Sequence, residues 1–222
     1  KKFQEAQVRN DYRKLAKPAS SENLNRLVQA NREALESCGA QDVFALMAKD
    51  LAAAGAKTEA ASLYRDLLKC PEPDWKARLG VVYGLAETAP PEEMESILAG
   101  EKKKGPEEYR AEVDSLELSL LRKQLAALPP GSAEAEKVSR KILSLRPDDP
   151  SAQRALAWGY FNQGKNEEAY RLFSSLHSRY PGERDYALGL AYTQMKMGKD
   201  GEALALAEKV PFRDEESQMV RS

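Results

Sequence analysis

The sequence has few of the residues from which catalytic and metal sites are built. Its 222 residues include one histidine, His177, and two cysteines. A usual zinc site needs more ligands of these types, and no histidine-based triad is available beyond His177. The glycines are single turn residues and form no phosphate-binding loop. We therefore expect no enzyme activity, no metal and no cofactor, and we expect His177 to lie on an outward-facing surface.

A strong net charge and long hydrophobic runs are also missing. Lysine and arginine total 34 against 35 acidic residues, so the formal net charge is −1. A near-neutral, interspersed charge gives no electrostatic reason to expect nucleic acid as a partner. No apolar stretch approaches the roughly 18 residues that predict a membrane span. We therefore expect neither a nucleic-acid partner nor a membrane span in this chain.

What the sequence does contain is typical of long helices. Hydrophobic residues make up 42% of the chain and charged residues 31%, while aromatic residues reach only 7%. Alanine, leucine, glutamate, lysine and arginine are prominent, and all five favour helices. No stretch alternates apolar and polar residues in the manner of a strand. The composition and patterning predict an all-α fold.

Self-similarity at a fixed period is the strongest signal. Identical residues recur 34 positions apart, and they are Leu156 with Leu190, Ala157 with Ala191, Gly164 with Gly198, Lys165 with Lys199, and Ala169 with Ala203. A fixed period of this length indicates a repeat architecture. Small residues such as Ala157 and Ala169 let two helices cross closely, and Gly164 can end a helix in a left-handed turn.

These residues carry a resemblance to a known family. Residues 150–183 resemble the tetratricopeptide repeat at Leu156, Ala157, Tyr160, Gln163, Gly164, Ala169, Phe173 and Pro181. The early tryptophan of the family is missing, because Arg154 lies near its place and Trp158 falls on another face. The resemblance implies a superhelical array of antiparallel helix hairpins, a tetratricopeptide-like α-solenoid of about twelve helices.

The register divides the chain into four segments. Residues 1–40 are predicted to form a degenerate N-terminal helical pair, and residues 41–108 two tetratricopeptide-like hairpins. Residues 109–149 are predicted to form an irregular hairpin with a long first helix, and residues 150–222 further hairpins with the start of another helix at 213–222. Because the chain opens with Lys1 and ends inside a helix, we expect it to be part of a longer protein.

The two cysteines, Cys38 and Cys70, are predicted to close helices 32 residues apart, nearly one repeat. Equivalent points on stacked helices lie about 8–10 Å apart, beyond comfortable disulfide reach. We therefore predict two free thiols. So few cysteines are compatible with the cytosol and with the bacterial periplasm.

The resemblance also implies where a partner would bind. In such arrays the first helix of each hairpin lines the concave side, which forms an extended groove. The family's groove positions correspond here to Lys49, Tyr83, Arg154, Trp158, Phe161, Asn162, Tyr192, Met195 and Lys196, together with Leu79 and Leu188. Tyr83, Trp158 and Tyr192 share the ninth position and would form an aromatic row. Such a row suits peptide binding, packing between repeats, or stacking on sugar rings.

Three functional interpretations follow from the resemblance. Segments 155–158 and 186–191 are similar to the periplasmic region of bacterial exopolysaccharide secretion proteins, both of the PelB type and of the cellulose-secretion type. That similarity implies a non-catalytic periplasmic scaffold, part of an outer-membrane protein, that recruits partner proteins or guides a polysaccharide. A cytosolic adaptor or co-chaperone and a component of a larger assembly are the alternatives. Asp185 weakens the adaptor interpretation, because a groove for an acidic tail needs converging lysines and asparagines.

Overall fold

The computed structural model describes residues 2–15, 18–71 and 74–209. These residues form thirteen α-helices and no strand, so the all-α prediction is confirmed. The helices are α1 Lys2–Lys14, α2 Ser21–Ala30, α3 Arg32–Glu36, α4 Gln41–Ala53, α5 Lys57–Leu68, α6 Trp75–Thr88, α7 Pro91–Glu101, α8 Glu107–Ala127, α9 Ala133–Leu145, α10 Pro150–Asn162, α11 Asn166–Arg179, α12 Arg184–Lys196 and α13 Asp200–Lys209. The helix predicted at 213–222 lies outside the described residues.

The chain divides into two compact units, Lys1–Glu117 and Leu118–Ser222. The division falls inside α8, whose 21 residues make it the long helix expected after residue 108. In unit 1, α5 packs against both α4 and α6, and α4 also contacts α6. In unit 2, each helix from α9 to α13 packs against the next, and α10 also contacts α12. Within each unit, therefore, first helices of successive hairpins lie side by side.

The N-terminal segment packs against the following hairpin in a similar manner. The helix α1 contacts α3 and α4, α2 contacts α4, and α3 contacts α5. If α1 is taken as a first helix and α2 with α3 as a broken second helix, their contacts with α4 and α5 match those of a repeat hairpin. Unlike α4 and α5, however, α1 and α2 do not pack closely against each other. The break falls at Asn31, which separates α2 from α3. The segment of α1 to α3 is therefore degenerate in sequence and repeat-like only in its contacts with the following hairpin.

The 34-residue register is visible in the helix boundaries. The first helices α4 and α6 begin at residues 41 and 75, and α10 and α12 at residues 150 and 184. Small residues lie where the two helices of a hairpin cross. In three hairpins, both residues assigned to the crossing are fully buried. These pairs are Ala48 with Ala60, Ala157 with Ala169, and Ala191 with Ala203. The absence of larger side chains lets these helices approach closely.

Glycines end the first helices where the backbone becomes left-handed. Gly164 has a φ of +72°, and the amide of Lys165 donates to the carbonyl of Tyr160 at 2.9 Å. Gly198 repeats this φ, and the amide of Lys199 donates to the carbonyl of Gln194 at 2.9 Å. A side chain would strain these turns, which is why the sequence repeats glycine there.

The prediction of free thiols is wrong. Cys38 and Cys70 form a disulfide, with a Cα–Cα distance of 5.6 Å. Both cysteines lie just beyond helix ends, Cys38 after α3 and Cys70 after α5. The chain turns sharply there, since Cys38 and Ala40 have φ values of +55° and +51°. The spacing of helix axes therefore does not set the distance between these two residues.

Candidate functional site

The helices α10 and α12 present matching stripes of side chains, and none of these side chains is buried. The α10 stripe consists of Ser151, Arg154, Trp158, Phe161 and Asn162, and the α12 stripe, 34 residues on, of Asp185, Leu188, Tyr192, Met195 and Lys196. We call these ten residues the α10–α12 face. It contains every unit 2 residue that the sequence predicted for partner binding.

The start of α10 is fixed by Asp149, which caps the helix. Its Oδ1 accepts a hydrogen bond from the amide of Ala152 at 3.0 Å, as expected for an N-cap. Its Oδ2 accepts a hydrogen bond from Nε of Arg122 at 2.8 Å, so α8 also anchors this end. Asp149 is buried, and the two contacts satisfy its carboxylate. They hold the first turn of α10, where the stripe begins.

A charged contact joins the two stripes near their N-terminal ends. Nη1 of Arg154 donates to Oδ2 of Asp185 at 2.6 Å, and each side chain keeps about 40% of its exposure. A surface pair of this kind contributes only about 0–1 kcal/mol to stability. The contact with Asp185 also neutralises the charge of Arg154 locally. The face is therefore less suited to an acidic tail than a face with an unpaired arginine would be.

An aromatic cluster joins the stripes one turn further along. Trp158 meets Phe173 edge to face with ring centroids 5.0 Å apart, Phe161 at 5.6 Å, and Tyr192 at 6.4 Å. Phe173 is fully buried on α11, and a Cβ on Gly189 of α12 would lie only 2.3 Å from its ring. Trp158 is half-buried, so it packs against the core of unit 2 and also contributes to the surface.

The C-terminal end of the face is exposed in both stripes. Asn162 and Lys196 are exposed, and Met195 packs against the small-residue core between α12 and α13. Asn162 lies against the turn before α9, where Gly131 has a φ of +76°. A Cβ on Gly131 would lie 2.2 Å from Nδ2 of Asn162, so this close approach requires glycine.

The other two predicted binding residues belong to unit 1. Lys49 on α4 and Tyr83 on α6 are 34 residues apart, and both are exposed. Leu46, on the same side of α4 as Lys49, keeps 50% of its exposure, and Tyr83 keeps 39%. Trp158 and Tyr192, two members of the predicted aromatic row, contact each other. The extension of the row to Tyr83 in the other unit stays a prediction.

Little in the described residues indicates reaction chemistry. Among residues 2–15, 18–71 and 74–209, no group of three or more histidine, cysteine, aspartate or glutamate side chains could hold a metal ion. None of the helices in those ranges is long and apolar enough to cross a bilayer.

His177 is not the outward-facing residue that we predicted. It is half-buried, and its Nδ1 is buried without a hydrogen-bond partner among the described residues. The reason is that His177 follows the buried Leu176 and lies one turn beyond Phe173, at the edge of the packed stripe of α11.

Part of the chain matches a known protein family. Residues 160–222 match the tetratricopeptide repeat family. The matched segment begins inside α10 and includes α11, α12 and α13, so it contains the α12 stripe. The resemblance inferred from the sequence is therefore supported at this level. The narrower resemblance to exopolysaccharide secretion proteins has no such support.

Comparison with solved structures gives distant similarities. A tetratricopeptide repeat protein from Parabacteroides merdae is 19% identical with a TM-score of 0.38, and the match covers 90% of this chain and 76% of that one. An assembly chaperone of RpL4, Acl4, is 14% identical with a TM-score of 0.38, and the match covers 90% of each chain. A sequence search of curated proteins finds no match.

Proposed function

We propose that the protein is a non-catalytic scaffold whose α10–α12 face binds a protein or peptide partner. The observation that carries this proposal is the pairing of two equivalent stripes on adjacent helices. Arg154 with Asp185 and Trp158 with Tyr192 contact each other across the two helices. These contacts hold the face in one arrangement before a partner arrives, which reduces the entropy lost on binding.

The side chains of the face favour an extended segment of mixed character. Half-buried aromatic rings at Trp158 and Tyr192 offer apolar area, and such residues are enriched at binding hot spots. Lys196 and Asn162 supply polar groups at one end, while Arg154 is already paired. A peptide with apolar anchors and a carboxylate near Lys196 fits this pattern better than a uniformly acidic tail.

The disulfide supports a location outside the cytosol. Disulfides form in oxidising compartments, the bacterial periplasm among them, and are rare in the cytosol. The pair Cys38–Cys70 therefore favours the periplasmic scaffold over the cytosolic adaptor. Recruitment of partner proteins or guidance of an exopolysaccharide toward the outer membrane is the specific role we propose. Its support is the sequence resemblance of segments 155–158 and 186–191.

The proposal is tested by quantitative capture from a bacterial periplasmic extract. The test variant Lys196→Glu reverses one exposed charge of the face, so its helical circular dichroism should match the wild type. The control is Tyr180→Ala, because Tyr180 is a half-exposed aromatic residue of the same unit outside the face. We expect the test variant to lose about tenfold in partner affinity and the control to bind normally.

The identity of what is captured separates the alternatives. A polysaccharide-modifying enzyme captured by the wild type and the control, but not by the test variant, would support the secretion scaffold. Cytosolic chaperones or ribosome-related proteins captured only from whole-cell extract would favour the adaptor. Equal capture by all three proteins would show that the α10–α12 face is not the binding surface.

A further inference from the structure

The disulfide of unit 1 lies next to a buried arginine. Arg78 of α6 donates from Nη1 to the carbonyl of Cys70 at 3.2 Å and from Nη2 to the carbonyl of Leu68 at 3.0 Å. Leu68 is the last residue of α5 and Cys70 lies two residues beyond it, at a helix end where carbonyl groups lack partners in the helix's own backbone. The half-cystine Cys70 is thus part of the hydrogen-bonding shell of Arg78.

Arg78 is held on its other side by a buried acid. Its Nε and Nη2 donate to the carboxylate of Glu101 at 2.6 and 2.8 Å, and each of the two side chains keeps only 4% of its exposure. The hydroxyl of Tyr109 donates to the same carboxylate at 2.6 Å, and the ring of Tyr109 lies 5.0 Å from that of Trp75. We call Arg78, Glu101 and Tyr109 the Arg78 cluster.

A continuous set of contacts therefore runs from the disulfide to Trp75. It passes through the carbonyl of Cys70 to the Arg78 cluster and then to the indole ring. A buried guanidinium is stable only while its acceptors stay in place, because an unmatched buried charge is strongly unfavourable. Any movement of Cys70 thus acts directly on Arg78.

The other end of the disulfide is held in an unusual backbone conformation. Cys38 and Ala40 both have positive φ values, which non-glycine residues adopt rarely and only where the surrounding structure imposes them. The disulfide is the covalent link that joins this turn to the end of α5. Opening the link would remove the covalent tether between this turn and the end of α5.

We propose that the Cys38–Cys70 disulfide is a thiol–disulfide exchange site whose reduction loosens the Arg78 cluster. The co-reactant is a dithiol. Its thiolate attacks Sγ of Cys38, the more exposed half-cystine, the bond between the two sulfurs breaks, and Cys70 leaves as a thiolate that takes a proton. The second thiol of the reductant then displaces Cys38, so the protein gains two electrons and two protons while the dithiol becomes a disulfide.

Trp75 gives this proposal a local reporter. The chain has two tryptophans, so Trp158→Phe leaves Trp75 as the single one. We expect dithiothreitol to shift the emission of Trp75 to longer wavelength and to lower the melting temperature of this variant by about 5 °C or more. The variant Cys38→Ser/Cys70→Ser in the same background should show the shifted emission without reductant, and dithiothreitol should not change it further.

Three results would overturn the proposal. Thiol alkylation of the non-reduced protein at both cysteines would show that the bond does not form. A fall in melting temperature with unchanged Trp75 emission would show that the disulfide is a simple staple without a connection to the cluster. Hydrogen exchange on the unsubstituted protein provides an independent readout. Reduction should increase exchange in segments 75–82 and 98–109, and unchanged exchange in both would count against the coupling.

Discussion

The hairpins α4–α5 and α6–α7 have the same register but different interiors. Phe44 and Leu67 are buried in the first of them. The residues 34 positions further on are Arg78 and Glu101, which are equally buried and form an ion pair. Equivalent positions of the register are thus filled by apolar side chains in one hairpin and by an ion pair in the next.

The helix crossings differ in the same two hairpins. The register assigns the fully buried Ala48 and Ala60 to the crossing of α4 and α5, whereas Val82 and Met94 occupy these positions in α6 and α7. Fewer residues of α6 and α7 approach each other than of α4 and α5. Larger crossing residues keep two helices from close approach, and the long side chains of Arg78 and Glu101 reach across the remaining distance. The larger crossing residues and the long ion-paired side chains therefore occur together in the α6–α7 hairpin.

Removing one member of the buried pair should have the largest effect. Glu101→Leu gives α7 the apolar residue that α5 has at Leu67, but it leaves the guanidinium of Arg78 buried without its acid. We expect a loss of about 3–5 kcal/mol in the free energy of unfolding, measured by urea denaturation.

The matched control converts the whole pair. Arg78→Phe/Glu101→Leu copies the α4–α5 pattern and removes both charges together, so it should recover most of the lost stability. A double variant as unstable as Glu101→Leu alone would mean that the two hairpins do not share equivalent interiors.

Acid should destabilise α6–α7 through the same carboxylate. Burial raises the pKa of Glu101, but the hydrogen bonds from Arg78 and two further donors outweigh it and lower the pKa to about 2. A lowered pKa stabilises the fold above the ordinary value of 4.5, and this stability is lost as the pH falls from there toward about 2. We expect the wild type to lose on the order of 2–3 kcal/mol more than Arg78→Phe/Glu101→Leu between pH 6 and pH 2. Parallel pH profiles of the two proteins would contradict this assignment.

Transferring the larger crossing residue should disturb the tighter hairpin. Ala60→Met gives α5 the residue that α7 carries at the same position, but α4 and α5 cross too closely to admit it. We expect a loss of about 1–3 kcal/mol from overpacking, measured by thermal unfolding. Ser62→Met, on the exposed side of α5, should leave the melting temperature nearly unchanged. If both variants melt alike, the crossing is not close-packed at Ala60.

The exposed ion pair of the α10–α12 face should have the smallest effect. Arg154→Gln removes the contact with Asp185, whose side chain is 42% exposed. We expect a change of only about 0–1 kcal/mol in the free energy of unfolding, because solvent screens both charges. A loss as large as that of Glu101→Leu would show that exposure does not distinguish the two ion pairs.

The sequence predicted the features that follow from the 34-residue period. Identical residues 34 apart located the first helices, the glycine turns after them and the alanine crossings. The same register brought the predicted binding residues of α10 and α12 to one face, since equivalent positions on adjacent first helices must lie side by side. The contact between Trp158 and Tyr192 follows from that geometry.

Features that do not repeat with the 34-residue period could not be predicted from it. The disulfide depends on the positive φ of Cys38 and Ala40 in a turn, which no helical pattern encodes. The ion pair did leave a signal, because Arg78 and Glu101 stand 34 residues after the apolar Phe44 and Leu67. Comparing those positions would have revealed two charges in apolar places, but not that they meet each other.

The central functional claim is that the α10–α12 face contacts a partner. The most direct measurement places a photo-crosslinking amino acid at position 151, an exposed position of the α10–α12 face, and in a separate protein at position 171, which is exposed on α11. Each protein is irradiated in the periplasmic extract and its adducts are identified by mass spectrometry. We expect position 151 to crosslink the partner captured by the wild type, with no adduct from position 171. A partner adduct from position 171 alone would contradict the claim.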